Sequence, residues 1–257
     1  MQSEPQPISD LPKAPPVSES ESVASGQTPS EMPGAFQLFG PSWQALKLNF
    51  WTFIQGVIIP CLVFVVPLAA AALSYFILSS RTDSNTAPNV SPIINVVLLV
   101  VGFVGVIGMI ATIIFLLPFM YTLKLLSAKG VKIGFRATLK NARPYIWRIL
   151  GLYIIRGLII LAGFILFIVP GLFMWRRYML APFYLLDKNT KIMEAMKMSA
   201  ADSKPFSGAI WGMIGVYVII GLAGIIPLAG YILGPVMGIA YCCAQATRYL
   251  QVQKAKA

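Results

Sequence analysis

Long apolar runs separated by clusters of Lys and Arg leave this chain few ways to fold. Residues 51–78 and 93–126 are almost free of charge until Lys124, and further apolar runs follow from residue 146. A helix needs about 20 apolar residues to cross a bilayer. With 57% hydrophobic and only 11% charged residues among 257, and a mean hydropathy of +0.76, the chain reads as an integral membrane protein. Hydrocarbon offers no partner to a backbone N–H or C=O, so the expected fold class is all-α.

The placement of charge then predicts topology. Lys124, Lys129, Lys132, Arg136, Lys140, Arg143 and Arg148 follow one another with no acid among them. Short loops rich in Lys and Arg stay cytoplasmic. Six spans, at 52–78, 93–121, 146–168, 171–187, 206–226 and 230–248, satisfy this rule throughout. Both termini, the basic loop and the segment 187–204 then lie on the cytoplasmic side of a bacterial inner membrane. The loop at 79–92 and the turns at 168–171 and 226–230 lie on the other. Ahead of this membrane domain, 36–257, residues 1–35 carry seven prolines and the acids Glu4, Asp10, Glu19, Glu21 and Glu31 against Lys13 alone. Such a segment buries too little apolar surface to offset its ordering entropy, so it is expected to be a disordered cytoplasmic tail.

Three amphipathic segments precede spans. Trp43, Leu46 and Phe50 recur at helical spacing in the first, and Phe135, Leu139, Ala142 and Ile146 in the second. In the third, Ile192, Met196 and Ala200 oppose Lys191, Glu194, Lys197 and Asp202. ALKLNFW at 45–51, TLKNARPYIW at 138–147 and AMKMSAADSKPF at 195–206 share a small residue or Thr, then Leu or Met, then Lys. They imply an internal repeat: three units, each an interfacial helix followed by a membrane hairpin. The basic faces suit an anionic leaflet, each cation near the surface contributing about 1 kcal/mol.

Residues 168–204 concentrate the features a plain bundle would not need. Pro170 and Gly171 are expected to close a tight hairpin. From Gly171 to Leu186 only 16 residues precede Asp187, and Arg176 and Arg177 sit among them. An arginine at the centre of an inserted helix costs roughly 2.5–3.5 kcal/mol, so each needs an interface, an acid or a watery cavity. Arg156, about 16 Å beyond Tyr145 by helical rise, raises the same demand. Arg156, Arg176 and Arg177 are therefore the candidates for binding an anion or a lipid headgroup, and Asp187, Glu194 and Asp202 are the candidate ion-pair partners.

Catalytic chemistry is poorly supplied. The chain has no His, which removes the commonest general base and a principal metal ligand. Cys61, Cys242 and Cys243 lie in apolar runs without metal or redox spacing, and the acids beyond the tail show no i, i+3 or i, i+4 pair. No catalytic, cofactor or metal site is expected. Nucleic acid is not an expected partner either, because the basic residues flank spans instead of forming a soluble patch.

From residue 169 onward the chain resembles the membrane domain of glycerophosphoryl diester phosphodiesterases and its stand-alone six-span relatives in bacterial inner membranes. Val169-Pro170-Gly171, the following Arg176 or Arg177, Leu180-Ala181-Pro182, and Glu194-Ala195-Met196-Lys197 with Ser199 carry the likeness. It is best over 165–206, and Ala200 stands where that family often has an aromatic. The resemblance implies no hydrolase here, since the activity of those longer proteins belongs to a separate barrel that uses histidines and carboxylate-bound metal. Two readings follow. The chain is a non-enzymatic membrane scaffold or lipid-interacting regulatory module, with anionic lipids, another membrane protein or a second copy as partner. Alternatively it is a transporter for an anionic solute or lipid, with its arginines lining the path.

Overall fold

The computed structural model describes residues 32–60, 92–224 and 229–256, with isolated positions 62 and 69. Among the described residues every regular element is helical. The α-helices are α1 (Phe39–Leu48), α2 (Phe50–Pro60), α3 (Pro92–Ala128), α4 (Phe135–Ala142), α5 (Ile146–Leu166) and α6 (Ile168–Arg177). They continue as α7 (Ala181–Lys188), α8 (Ile192–Asp202), α9 (Ser207–Ala223), α10 (Ala229–Ala240) and α11 (Ala244–Lys254). The expected tail up to Glu31, most of 61–78, the loop to residue 91 and residues 225–228 lie outside the described residues.

Among the described residues two stretches are long and apolar enough to cross a membrane: Gly105–Ala128, within α3, and Phe135–Leu166, which joins α4 to α5 through a 3-10 turn. A third arises if α8 and α9, bent by 102° at their junction, form one broken span. Six continuous spans are not shown among the described residues. The stretch expected to cross at 171–187 is two helices, α6 and α7, broken at 178–180, and the one expected at 230–248 is divided between α10 and α11 at 241–243. The cause is visible at α7, where Ala181, Phe183, Tyr184, Leu185 and Leu186 are at most 1% exposed. A helix apolar on every side is buried in protein or in lipid, and hydropathy cannot distinguish the two. Here protein surrounds it.

The larger core cluster is built from many helices and continues along α9 from Ile210 to Ile220. It gathers α7, the C-terminal third of α3 (Tyr121, Leu125, Leu126), the start of α5 (Ile149, Leu152), α8 (Ala195, Met196) and α11 (Tyr249, Val252). Helix α3, 37 residues long and so about 55 Å by helical rise, runs from an exposed apolar middle into this core. Phe103, Val106, Ile107 and Ile110 are more than half exposed, whereas Leu123, Leu125 and Leu126 are fully buried.

The repeat seen in the sequence reappears as a burial register without gaps. Ala45, Asn49, Thr52 and Phe53 are buried in the first copy, Thr138, Ala142, Tyr145 and Ile146 in the second, and Ala195, Ser199, Asp202 and Ser203 in the third. In each copy these positions are i, i+4, i+7 and i+8, and the lysine at i+2 (Lys47, Lys140 or Lys197) is exposed. Leu139 departs from its counterparts, being 37% exposed where Leu46 and Met196 are buried.

The packed chain begins earlier than the expected boundary at residue 36. Arg248, fully buried on α11, donates to the carbonyl of Pro33 at 3.0 Å and to Gln251 Oε1 at 3.0 Å, and the Tyr241 hydroxyl donates to the Ala35 carbonyl at 2.9 Å. Ser42 Oγ accepts from the Cys243 N–H at 3.1 Å. The C-terminal helix thus fixes the entry of the chain into α1.

Candidate functional site

Helix α6 presents the two adjacent arginines at its C-terminal turn, where exposed carbonyls favour cations. The chain reverses ahead of it at Phe167, whose extended backbone (φ −166°, ψ 158°) separates α5 from α6. This places the apex three residues before Pro170. The first main-chain bond of the returning helix is Gly171 N–H to the Phe167 carbonyl, at 3.4 Å, so Pro170 lies in a turn where no N–H is required. Gly171 serves the hairpin differently. A Cβ on Gly163 would lie 2.8 Å from the Gly171 Cα, and one on Gly171 would lie 2.5 Å from the Phe164 ring.

Neighbouring helical residues diverge by about 100°, and Arg176 and Arg177 do so here. Arg176 is 6% exposed, with its Cζ 4.1 Å from the Phe173 ring centroid and 5.7 Å from that of Trp211. Aromatic faces take the place of an acid as its partner. Arg177 turns instead into a cleft of about 270 Å³ between α5, α6 and α8. Ile159, Met193, Met196 and Ala200 give the cleft an apolar wall, while Arg177, Lys197 and Lys204 bring three cations and no acid lines it. Ser199 donates to the Arg177 carbonyl at 2.9 Å and so fastens α8 to the end of α6. Arg177 Nε is buried and has no hydrogen-bond partner.

Arg156 lies apart from both, its Cζ 5.9 Å from the Tyr153 ring, and the Tyr153 hydroxyl is 2.5 Å from that of Tyr121. The carboxylates serve other partners. Asp187 is ion-paired with Lys129 of the basic loop and accepts from the Tyr249 hydroxyl at 2.8 Å. Burial, followed by the nearby Asp187 charge, raises the pKa of that phenol and keeps it a donor. Asp202 accepts from the Tyr184 hydroxyl and from Lys256 Nζ at 2.6 Å, and Gln253 donates to the Tyr184 oxygen at 2.7 Å. Glu194 is exposed and in no ion pair among the described residues. Asp187 and Asp202 therefore join lysines and the C-terminal helix to the core, and neither pairs with Arg156, Arg176 or Arg177.

No family model, curated protein or solved structure matches this chain. The assignment of chemistry rests on the geometry alone. Among the described residues no group of His, Cys, Asp and Glu is placed to hold a metal. What the cleft offers is a partly buried arginine with two exposed lysines beside an apolar wall. That arrangement suits binding an anion on an apolar carrier. Lys197 reads from the sequence as part of the charged face of its helix, and nothing there joins it, or Lys204 seven residues on, to Arg177.

Proposed function

We propose that the chain is a six-span protein of the bacterial inner membrane, without catalytic activity, that acts as a lipid-interacting scaffold or regulatory module. The observation that carries this reading is the common register of the three repeat copies. Each buries the same positions, exposes a lysine at the same place and leads into an apolar helix, so all three lay a basic face toward one leaflet. The broken α6–α7 and α10–α11 pairs complete the hairpins, with α7 and α11 lying in the basic end and α5–α6 reaching into the hydrocarbon. Anionic lipids are the partner this charge selects, and both termini lie on the cytoplasmic side.

The transport reading requires the arginines to share a path. Arg156 on Tyr153, Arg176 on Phe173 and Trp211, and Arg177 in the cleft have separate surroundings, which favours the lipid-interacting reading. The test reconstitutes the purified full chain in nanodiscs of phosphatidylcholine mixed with phosphatidylglycerol and reads co-purifying lipid by native mass spectrometry. Enrichment of phosphatidylglycerol over the bulk ratio is expected, together with cytoplasmic location of tags on both termini. Bulk lipid ratios, or tags on opposite sides, would reject the proposal.

A further inference from the structure

We infer that the Arg177 cleft is a site for a phosphomonoester carried on an apolar chain, the headgroup class of phosphatidic acid. This rests on the reading of the basic end as lipid-facing and goes further by naming the ligand chemistry. A monoester carries about −1.5 to −2 charges at neutral pH and offers three terminal oxygens, whereas a diester headgroup carries one charge and two such oxygens. Three cations around one cleft match the first better.

Each part of the ligand has a counterpart. Arg177 supplies the planar fork that binds two oxygens at once, and its Nε, like those of Arg176 and Arg248, has no hydrogen-bond partner. Lys197 and Lys204 are exposed, lie outside the ion pairs of the described residues, and can swing onto the third oxygen. Neither Glu194, one turn before Lys197 on α8, nor Asp202, two residues before Lys204 and engaged by Tyr184 and Lys256, lines the cleft. Ile159, Met193 and Met196 provide the apolar surface along which the first methylenes of an acyl chain would lie. The two methionines adapt to a chain of variable contour. At about 270 Å³ the cleft falls below the size that encloses a drug-sized ligand, so it holds a headgroup and leaves the rest of the lipid in the bilayer.

The experiment uses the full chain in phosphatidylcholine nanodiscs with trace phosphatidic acid or trace phosphatidylglycerol, again read by native mass spectrometry. Phosphatidic acid is expected to be retained about tenfold more than phosphatidylglycerol. Arg177→Ala should abolish that excess. Lys204→Gln, at an exposed position where the fold is not at stake, should reduce it several-fold with an unchanged melting temperature. Equal retention of the two lipids, both above phosphatidylcholine, overturns the phosphomonoester site while the scaffold reading stands; loss of preference for either anionic lipid removes the scaffold reading as well. Millimolar inorganic phosphate is expected not to displace the lipid, and complete displacement would overturn the lipid as the source of the phosphate.

Discussion

The two ends of the α5–α6 hairpin meet different surroundings, and the chain stabilises them by different means. At the basic end Leu180, Leu185 and Leu186 are fully buried, and polar residues there bond across long stretches of sequence: Lys129 to Asp187, Lys256 to Asp202, Arg248 to Pro33. At the opposite end Ile165, Leu166, Phe167, Ile168 and Val169 are 67–76% exposed and apolar without exception. There the helices are held by close approach of small residues, Gly163 against Gly171. In the proposed placement the first end lies among water and lipid headgroups, where apolar burial and satisfied polar groups are effective. The second end then lies in lipid, which removes the hydrophobic drive between helices and leaves van der Waals contact to hold them.

The largest effect should follow from breaking the basic end at its deepest cation. Arg248→Ala opens a cavity and strips the Pro33 carbonyl of its donor, at an expected cost of about 3 kcal/mol. Thermal unfolding in detergent should show the loss, and limited proteolysis should cut before Phe36 sooner than in the wild type. Arg248→Met, which keeps the volume without the hydrogen bonds, should recover part of the melting temperature but leave the early cleavage. An unaltered cleavage pattern in both variants would show that the clasp does not hold the entry segment.

The hairpin end should respond to volume instead. Gly163→Ala forces backbone apart and should cost about 2 kcal/mol. On the same helix Gly157 has nothing within 4 Å of a Cβ, so Gly157→Ala should be neutral or stabilising. Opposite signs from one chemical change, two helical turns apart, would confirm that contact and not helix propensity governs this end. The same sign in both would collapse the distinction between the two ends.

These contrasts also explain what could be read in advance. Apolar runs and basic clusters are local properties of the sequence, so the membrane character, the helices and the lysine register of the repeat were legible. Where the turn falls was not. Pro170-Gly171 carries the composition of a turn, yet a proline in the first helical turn is equally at home, and only the packing of Gly171 on Phe164 and Gly163 decides between the two. The partners of Asp187 and Asp202 were hidden for another reason. Lys129 is 58 residues from Asp187 and Lys256 is 54 from Asp202, beyond any helical spacing rule. The role of Arg248 was hidden as well, because nothing local in the sequence tells a basic residue at the end of an apolar run whether it meets surface or core. The cleft itself combines α5, α6 and α8, and periodicity within one helix cannot foresee that combination.

Within the basic end the two ligands of Asp202 are unequal, and this offers a finer test. Tyr184 is 1% exposed, so Tyr184→Phe leaves a buried carboxylate one donor short and should cost about 1–2 kcal/mol. Its effect should be insensitive to salt.

Lys256 gives the smallest expected change. Its side chain is half exposed, at 50%, and at 2.6 Å from Asp202 it meets a carboxylate that is itself only 6% exposed. Attraction across such a boundary is screened by solvent and offset by the side-chain entropy of holding a lysine, so Lys256→Ala should cost at most about 1 kcal/mol. Raising the ionic strength shortens the range of the interaction and should reduce the difference between Lys256→Ala and the wild type. A cycle with Tyr184→Phe tests whether the two donors act independently. If the phenol already satisfies Asp202, the double variant loses more than the sum of the single ones, because only then is the carboxylate left without either donor. Strict additivity would mean that the lysine anchors the C-terminus without neutralising the buried charge.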